Sequence, residues 1–115
     1  MSRVALLVAC LGSTATAAEP DVLDGYSGVV IVGASWCQHC PAMEAAAARL
    51  ITANPRWLRF ITYVDLDARP KLAAKIVGPK DRFPLLVRVV RGRITHKSHS
   101  VPPTTTAIAR FWNRR

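Results

Sequence analysis

Acidic residues are scarce in this chain of 115: seven Asp and Glu stand against 16 Lys and Arg, for a formal net charge of +9. Such a balance, concentrated after Arg49, draws anionic partners: nucleic acid, anionic lipid or an acidic protein. Cysteines number only three, too few for a disulfide scaffold. No apolar run approaches the roughly 20 residues that a spanning helix needs. Eight prolines and six glycines follow no period, which excludes collagen and solenoid arrays, and an apolar share of 50% excludes disorder. What remains is one compact domain, because a chain of this length has no room for a second core.

The first residues stand apart from the rest. A single positive charge at Arg3, a short apolar run over 4–11 and the small residues of 12–18 have the pattern of an export signal. Cleavage near Ala17 or Ala18 fits the peptidase's demand for small side chains before the cut. Residues 1–18 are therefore read as a cleaved signal peptide and 19–115 as the domain, in a periplasmic or secreted location. Leu7-Val8-Ala9-Cys10 also resembles a bacterial lipoprotein box, so a lipid anchor at Cys10 is a second reading. Export leads to an oxidising compartment, where a dithiol can hold a disulfide.

Hydrophobic periodicity orders the remainder as β-α-β-α-β-β-α. Val29-Val30-Ile31-Val32 is continuous and β-branched, as in a strand covered on both faces. The alanine-rich segment 41–53 carries Met43, Ala46, Ala47 and Leu50 on one helical face and stops at Asn54-Pro55. Alternation predicts a second strand over 57–64, and Arg69-Pro70 opens a short helix ending at Ile76. Segments 83–90 and 93–96 flank Arg91-Gly92 as a hairpin, and 105–112 forms a last helix with Ile108, Phe111 and Trp112 toward the sheet. Strands separated by helices, then a hairpin, make an α/β fold: a mixed four-stranded sheet with helices on both faces. Trp57, Phe60, Phe111 and Trp112 are expected in the core, as is Met43.

Chemistry concentrates at Trp36-Cys37-Gln38-His39-Cys40, between the first strand and the first helix. Two intervening residues at a helix start bring both sulfurs within disulfide reach, with the first at the exposed end. Cys37 is the expected nucleophile and Cys40 the resolving thiol. The helix dipole and its unpaired N–H groups favour a Cys37 thiolate, and His39 adds a donor, with a full charge when protonated. A thiolate exists only in the reduced form, so each such effect turns the disulfide into a stronger oxidant. Pro41 is tolerated only in the first helical turn, so regular helix is expected to begin near Gln38 or His39.

These residues, with Phe83-Pro84 at the start of a later strand, Val64-Asp65-Leu66-Asp67 before a short helix and Arg91-Gly92-Arg93 at a hairpin, resemble the thioredoxin-like thiol–disulfide oxidoreductases over residues 29–112. The resemblance implies a minimal thioredoxin-like fold and exchange with protein thiols, disulfides and a redox partner protein through a mixed disulfide on Cys37. It also implies a cis bond at Pro84 beside the dithiol and a Phe83 backbone that pairs with substrate. Trp36 is expected either to shield and contact the dithiol or simply to cover the sheet edge. No dissociable cofactor and no metal is needed, since the two electrons reside in the cysteine pair, and a monomer suffices. Ile31 stands where thioredoxin carries a buried acid that helps the resolving thiol lose its proton. Histidine between the cysteines is similar to the disulfide oxidases and isomerases, which tilts the direction toward oxidation or isomerisation.

Three other readings compete. Cys37 and Cys40 with His96 and His99 could form a zinc tetrahedron, although the pairs are far apart for a compact finger. Arg88, Arg91, Arg93, Lys97, Arg110, Arg114 and Arg115 could make the chain a basic binding module, for an acidic partner or membrane surface sooner than for nucleic acid, of which it has no motif. The cysteine pair could be a purely structural disulfide, but closing a two-residue loop stabilises little.

Overall fold

The computed structural model describes residues 23–114; the signal reading, the Cys10 anchor and Arg115 lie outside them. Eight elements follow in order: β1 (Gly28–Gly33), α1 (Cys40–Ala53), a 3-10 turn (Pro55–Arg59), β2 (Ile61–Asp65), α2 (Pro70–Ile76), β3 (Leu85–Val90), β4 (Arg93–Ser98) and α3 (Thr105–Trp112). The strands lie in the order β2-β1-β3-β4, with β1 parallel to β2 and antiparallel to β3, and β3 antiparallel to β4.

The β-branched run of β1 is central, and every residue of the strand is buried. Its side chains alternate between two layers. Val29 and Ile31 pack with Met43, Ala46 and Leu50 of α1 and with Ile108 and Phe111 of α3. Val30 and Val32 pack on the opposite face with Leu72 and Ile76 of α2 and with Leu85, Val87 and Val89 of β3. Each large aliphatic removed from water contributes about 1.5–3 kcal/mol, so this double layer is the main source of stability. At the hairpin, Arg91 and Gly92 both have positive φ, 52° and 80°. Glycine is needed at the second position because a Cβ there would also press on the Leu23 carbonyl at 2.8 Å.

Two segments differ from the sequence expectation. Residues 57–59 are not strand: the Asn54 side chain accepts from the Arg56 amide at 3.3 Å, Pro55 fixes the next φ, and a 3-10 turn delays β2 until Ile61. Helix α1 starts at Cys40, later than Gln38 or His39, with Pro41 inside its first turn, where a missing N–H costs nothing. The aromatics also divide differently. Phe111 is core, and Trp57 and Trp112 are half-buried against that core, whereas Phe60 is half-buried outside it; Trp57, Phe60 and Trp112 also line a surface groove beside the 3-10 turn, Phe60 stacking on Trp112 at 5.6 Å.

Candidate active site

The site forms where β1 ends. After Gly33 the chain turns, with the Cys37 amide donating to the Ala34 carbonyl at 3.1 Å, and three residues later α1 begins. Cys37 and Cys40 are joined by a disulfide across a Cα separation of 5.4 Å. Both residues are buried, but not equally: Cys40, the first residue of α1, is 2% exposed, and Cys37, outside the helix, 9%. Cys37 is thus less open than a nucleophile at the exposed end was expected to be, because Ala34, Leu66 and Phe83 pack around the pair.

Electrostatics at this end of α1 are simple. His39 occupies the N-cap position without a side-chain capping bond, and no acidic residue stands in the first turn. The partial positive charge of the helix start is therefore uncompensated by any carboxylate of its own turn and faces the side from which Cys37 approaches. Gln38 and His39 are both exposed.

Loops hold the pair in place. Asp67, just beyond β2, accepts from the Ser35 amide at 3.3 Å and from the Ser35 hydroxyl at 2.8 Å, and the Leu66 amide donates to the Gly33 carbonyl at 2.8 Å. The turn ahead of Cys37 is thereby tied to the end of β2. From the other side, the Phe83–Pro84 peptide bond is cis, and the Phe83 ring meets Trp36 edge to face at 5.7 Å. Trp36 is 64% exposed, an apolar ring presented to solvent beside the disulfide. Asp81 accepts from the Gly78 amide at 2.7 Å and pairs with Lys97 of β4, which anchors the loop before Phe83. The Lys97 ammonium and the Gly78 N–H hold the Asp81 carboxyl below its ordinary range.

The six residues Trp36, Cys37, His39, Cys40, Phe83 and Pro84 therefore lie in one region, with His39 on its outer side. Of the residues in the zinc reading, His96 lies on the outer strand β4 and His99 just after it, and no group of three or more His, Cys, Asp or Glu that could hold a metal is found among the described residues. The basic-module reading is weakened at Arg88. Its Nε donates to the Trp112 carbonyl at 2.8 Å, its guanidinium donates to the Thr95 hydroxyl at 3.0 Å, and its plane covers the Trp112 ring at 4.9 Å.

Two site residues escaped the sequence reading, Gly33 and Tyr63. Ile31 pairs with Tyr63 and Gly33 with Asp65 in the parallel register, which brings the Tyr63 ring across Gly33. A Cβ on Gly33 would overlap the Tyr63 hydroxyl and lie 3.3 Å from Cys40 Sγ. Burial, then the nearby Glu44 and Asp65 carboxylates, push the Tyr63 hydroxyl above its ordinary pKa. Only the strand register reveals this placement; the one sequence signal was a tyrosine two residues before Asp65 in a half-buried strand.

No protein-family model matches the sequence, and no curated protein matches it. Solved structures do. The chain is similar to Fasciola hepatica thioredoxin, with a TM-score of 0.60 at 19% identity, over 81% of this chain and 84% of that one. It is similar to oxidised mitochondrial thioredoxin 3 of Saccharomyces cerevisiae, with a TM-score of 0.58 at 21% identity, over 82% and 84%. Against the first two thioredoxin domains of Naumovozyma dairenensis Eps1p the TM-score is 0.67 at 12% identity, over 84% of this chain and 37% of that protein. At these identities the likeness is one of architecture: the chain has the thioredoxin fold, with a Cys-x-x-Cys disulfide where β1 gives way to α1.

Proposed function

We propose that the chain is a thiol–disulfide oxidoreductase acting on protein thiols and disulfides outside the cytoplasm, reached through the signal at residues 1–18. One observation carries the reading: a disulfide between cysteines three positions apart at an uncapped helix start, its less buried residue Cys37 next to a solvent-facing Trp36 that meets Phe83 of the cis Phe83–Pro84 bond. The thioredoxin fold of the chain is consistent with that chemistry.

In the oxidising direction a substrate thiolate attacks Cys37 Sγ. The Cys37–Cys40 bond breaks, a mixed disulfide forms on Cys37, and Cys40 leaves as a thiolate. A second substrate thiolate then attacks the substrate sulfur of that bond, releasing Cys37 as a thiolate. The substrate gains a disulfide, and two electrons remain on the protein as a dithiol. A redox partner removes them. Cys37 is the attacked sulfur because Cys40 is enclosed by the sheet and the helix. His39 lies beside the first turn, where its protonated form favours the reduced thiolate; this supports a tilt toward oxidation or isomerisation.

The reading is tested by trapping. With Cys40→Ser, a disulfide-bonded peptide should accumulate as a stable adduct on Cys37, seen as added mass on the Cys37 peptide. Equal trapping on Cys40 in a Cys37→Ser variant, or no adduct on either, refutes the assigned roles.

A further inference from the structure

We propose that the Tyr63 hydroxyl is the hydrogen-bond donor that stabilises the Cys40 thiolate when the Cys37–Cys40 bond is open. The inference rests on reading the site as a thiol–disulfide exchanger, and it concerns the half of the cycle in which Cys40 must lose its proton.

The position follows from the sheet. Ile31 and Gly33 are two apart on β1 and share a face, and Tyr63 is the parallel partner of Ile31. That face is the one covered by α1, whose first residue is Cys40. Ile31 offers no polar atom. Because Gly33 has no side chain, the Tyr63 ring lies across it and brings the hydroxyl into the space beneath the helix start. Tyr63 Oη and Cys40 Sγ both fall within 3.3 Å of the single point where a Gly33 Cβ would be. The hydroxyl and the sulfur thus approach the same point above Gly33, with no side chain between them.

The chemistry follows from protonation. Tyr26 has its hydroxyl engaged with Thr62 at 2.9 Å, whereas no hydrogen bond to another described residue engages the Tyr63 hydroxyl. Burial, with the Glu44 carboxylate of α1 and the Asp65 carboxylate of β2, keeps Tyr63 protonated above the range in which an ordinary thiol, pKa about 8.5, titrates. It is a donor throughout and never the base. The Cys40 proton goes to water, the resulting thiolate accepts the Tyr63 O–H, and the thiolate attacks Cys37 Sγ of the mixed disulfide. A Cys37–Cys40 bond forms, the bond from Cys37 to the substrate sulfur breaks, and the substrate departs as a thiolate with that electron pair. Glu44 and Asp65 bring negative charge to this side of Tyr63 and no donor, so the Tyr63 hydroxyl is the group that can offer the thiolate a hydrogen-bonding proton.

The test compares Cys37→Ser with Cys37→Ser/Tyr63→Phe in the full chain, following alkylation of the Cys40 peptide by iodoacetamide against pH, by mass, so that Cys10 does not contribute. Loss of a hydrogen bond to a charged group should raise the Cys40 midpoint by about one pH unit and lower its thiolate fraction at neutral pH about tenfold. An unmoved midpoint overturns the inference, as does an equal rise in Cys37→Ser/Glu44→Gln, which keeps the donor and removes a repelling charge. A second measurement leaves both cysteines in place. Cys37 is glutathionylated, and release of glutathione by Cys40 is timed in the wild type and in Tyr63→Phe. Release should be about tenfold slower in the variant near pH 7 and converge with the wild type above about pH 10, where the thiol ionises unaided. A slowdown of the same size at every pH marks a structural effect and overturns the inference. A wild-type protein that accepts no glutathione on Cys37 removes the exchange reading instead, while the Cys40 midpoint still reports on Tyr63.

Discussion

Gly33→Ala is expected to destabilise the oxidised protein. Its methyl would enter the gap between β1 and the disulfide, 3.3 Å from Cys40 Sγ and 2.9 Å from Tyr63 Cζ, and would overlap the Tyr63 hydroxyl. Neither the backbone nor the sulfur can easily retreat: the Gly33 carbonyl accepts from the Leu66 amide, and buried Cys40 is bonded to Cys37. The half-buried Tyr63 ring must move. Forcing a methyl into a filled site costs about 1–3 kcal/mol. Reduced freedom of the unfolded chain offsets about 0.4–1 kcal/mol of that. At the middle of these ranges a net loss of about 1.3 kcal/mol remains, and each 1 kcal/mol lowers the midpoint of a domain this size by about 4–8 °C. Urea unfolding of the oxidised proteins measures it. In a Tyr63→Phe background the overlapped atom is gone but Cζ stays, so part of the cost should vanish, leaving a coupling of at least about 0.5 kcal/mol between the two positions. A Gly33→Ala cost under about 0.5 kcal/mol, or the same cost in both backgrounds, refutes this packing.

Other positions give further checks. Met43→Ala removes a side chain that is 1% exposed at the centre of the α1 face, and should cost about 2–5 kcal/mol in chemical denaturation. Arg88→Ala leaves the Trp112 carbonyl without its donor and uncovers the indole; a loss of about 1–3 kcal/mol is expected, and an unchanged midpoint would mean that Arg88 is free after all. Asp81 has a folded-state pKa held below 3.8, so its contribution is present above that pH and is lost as pH falls through the folded value. Urea midpoints of the wild type and Asp81→Asn should therefore differ at pH 7 and draw together below about pH 3.8, with no such convergence if Lys97 does not pair with Asp81.

Much of this architecture was legible in the order of residues because single local effects decided it. Val29 to Val32 read as a doubly covered strand since no polar side chain interrupts them, and α3 spans the residues that its apolar spacing marks. Cys37 and Cys40 were legible for the same reason: their spacing fixes their proximity. Residues 57–59 were misread because alternation competes there with an Asn54 cap and Pro55, and the local turn chemistry prevails over periodicity. Arg88 looked like free charge because its partners, Thr95 and Trp112, are brought to it by the β-bulge in the hairpin and by the docking of α3. Tyr63 is the clearest case. Its neighbourhood depends on the register of a parallel pair and on the absence of a side chain at Gly33, neither of which a linear pattern encodes.

Equilibration of the protein with glutathione buffers of graded potential, scored by alkylation and mass, tests most directly whether the cysteine pair is a working redox couple. One two-electron transition, with Cys37 and Cys40 changing together between about −120 and −270 mV, is the expected result. A bond that stays intact until potentials below about −300 mV is a structural link and contradicts the proposed activity.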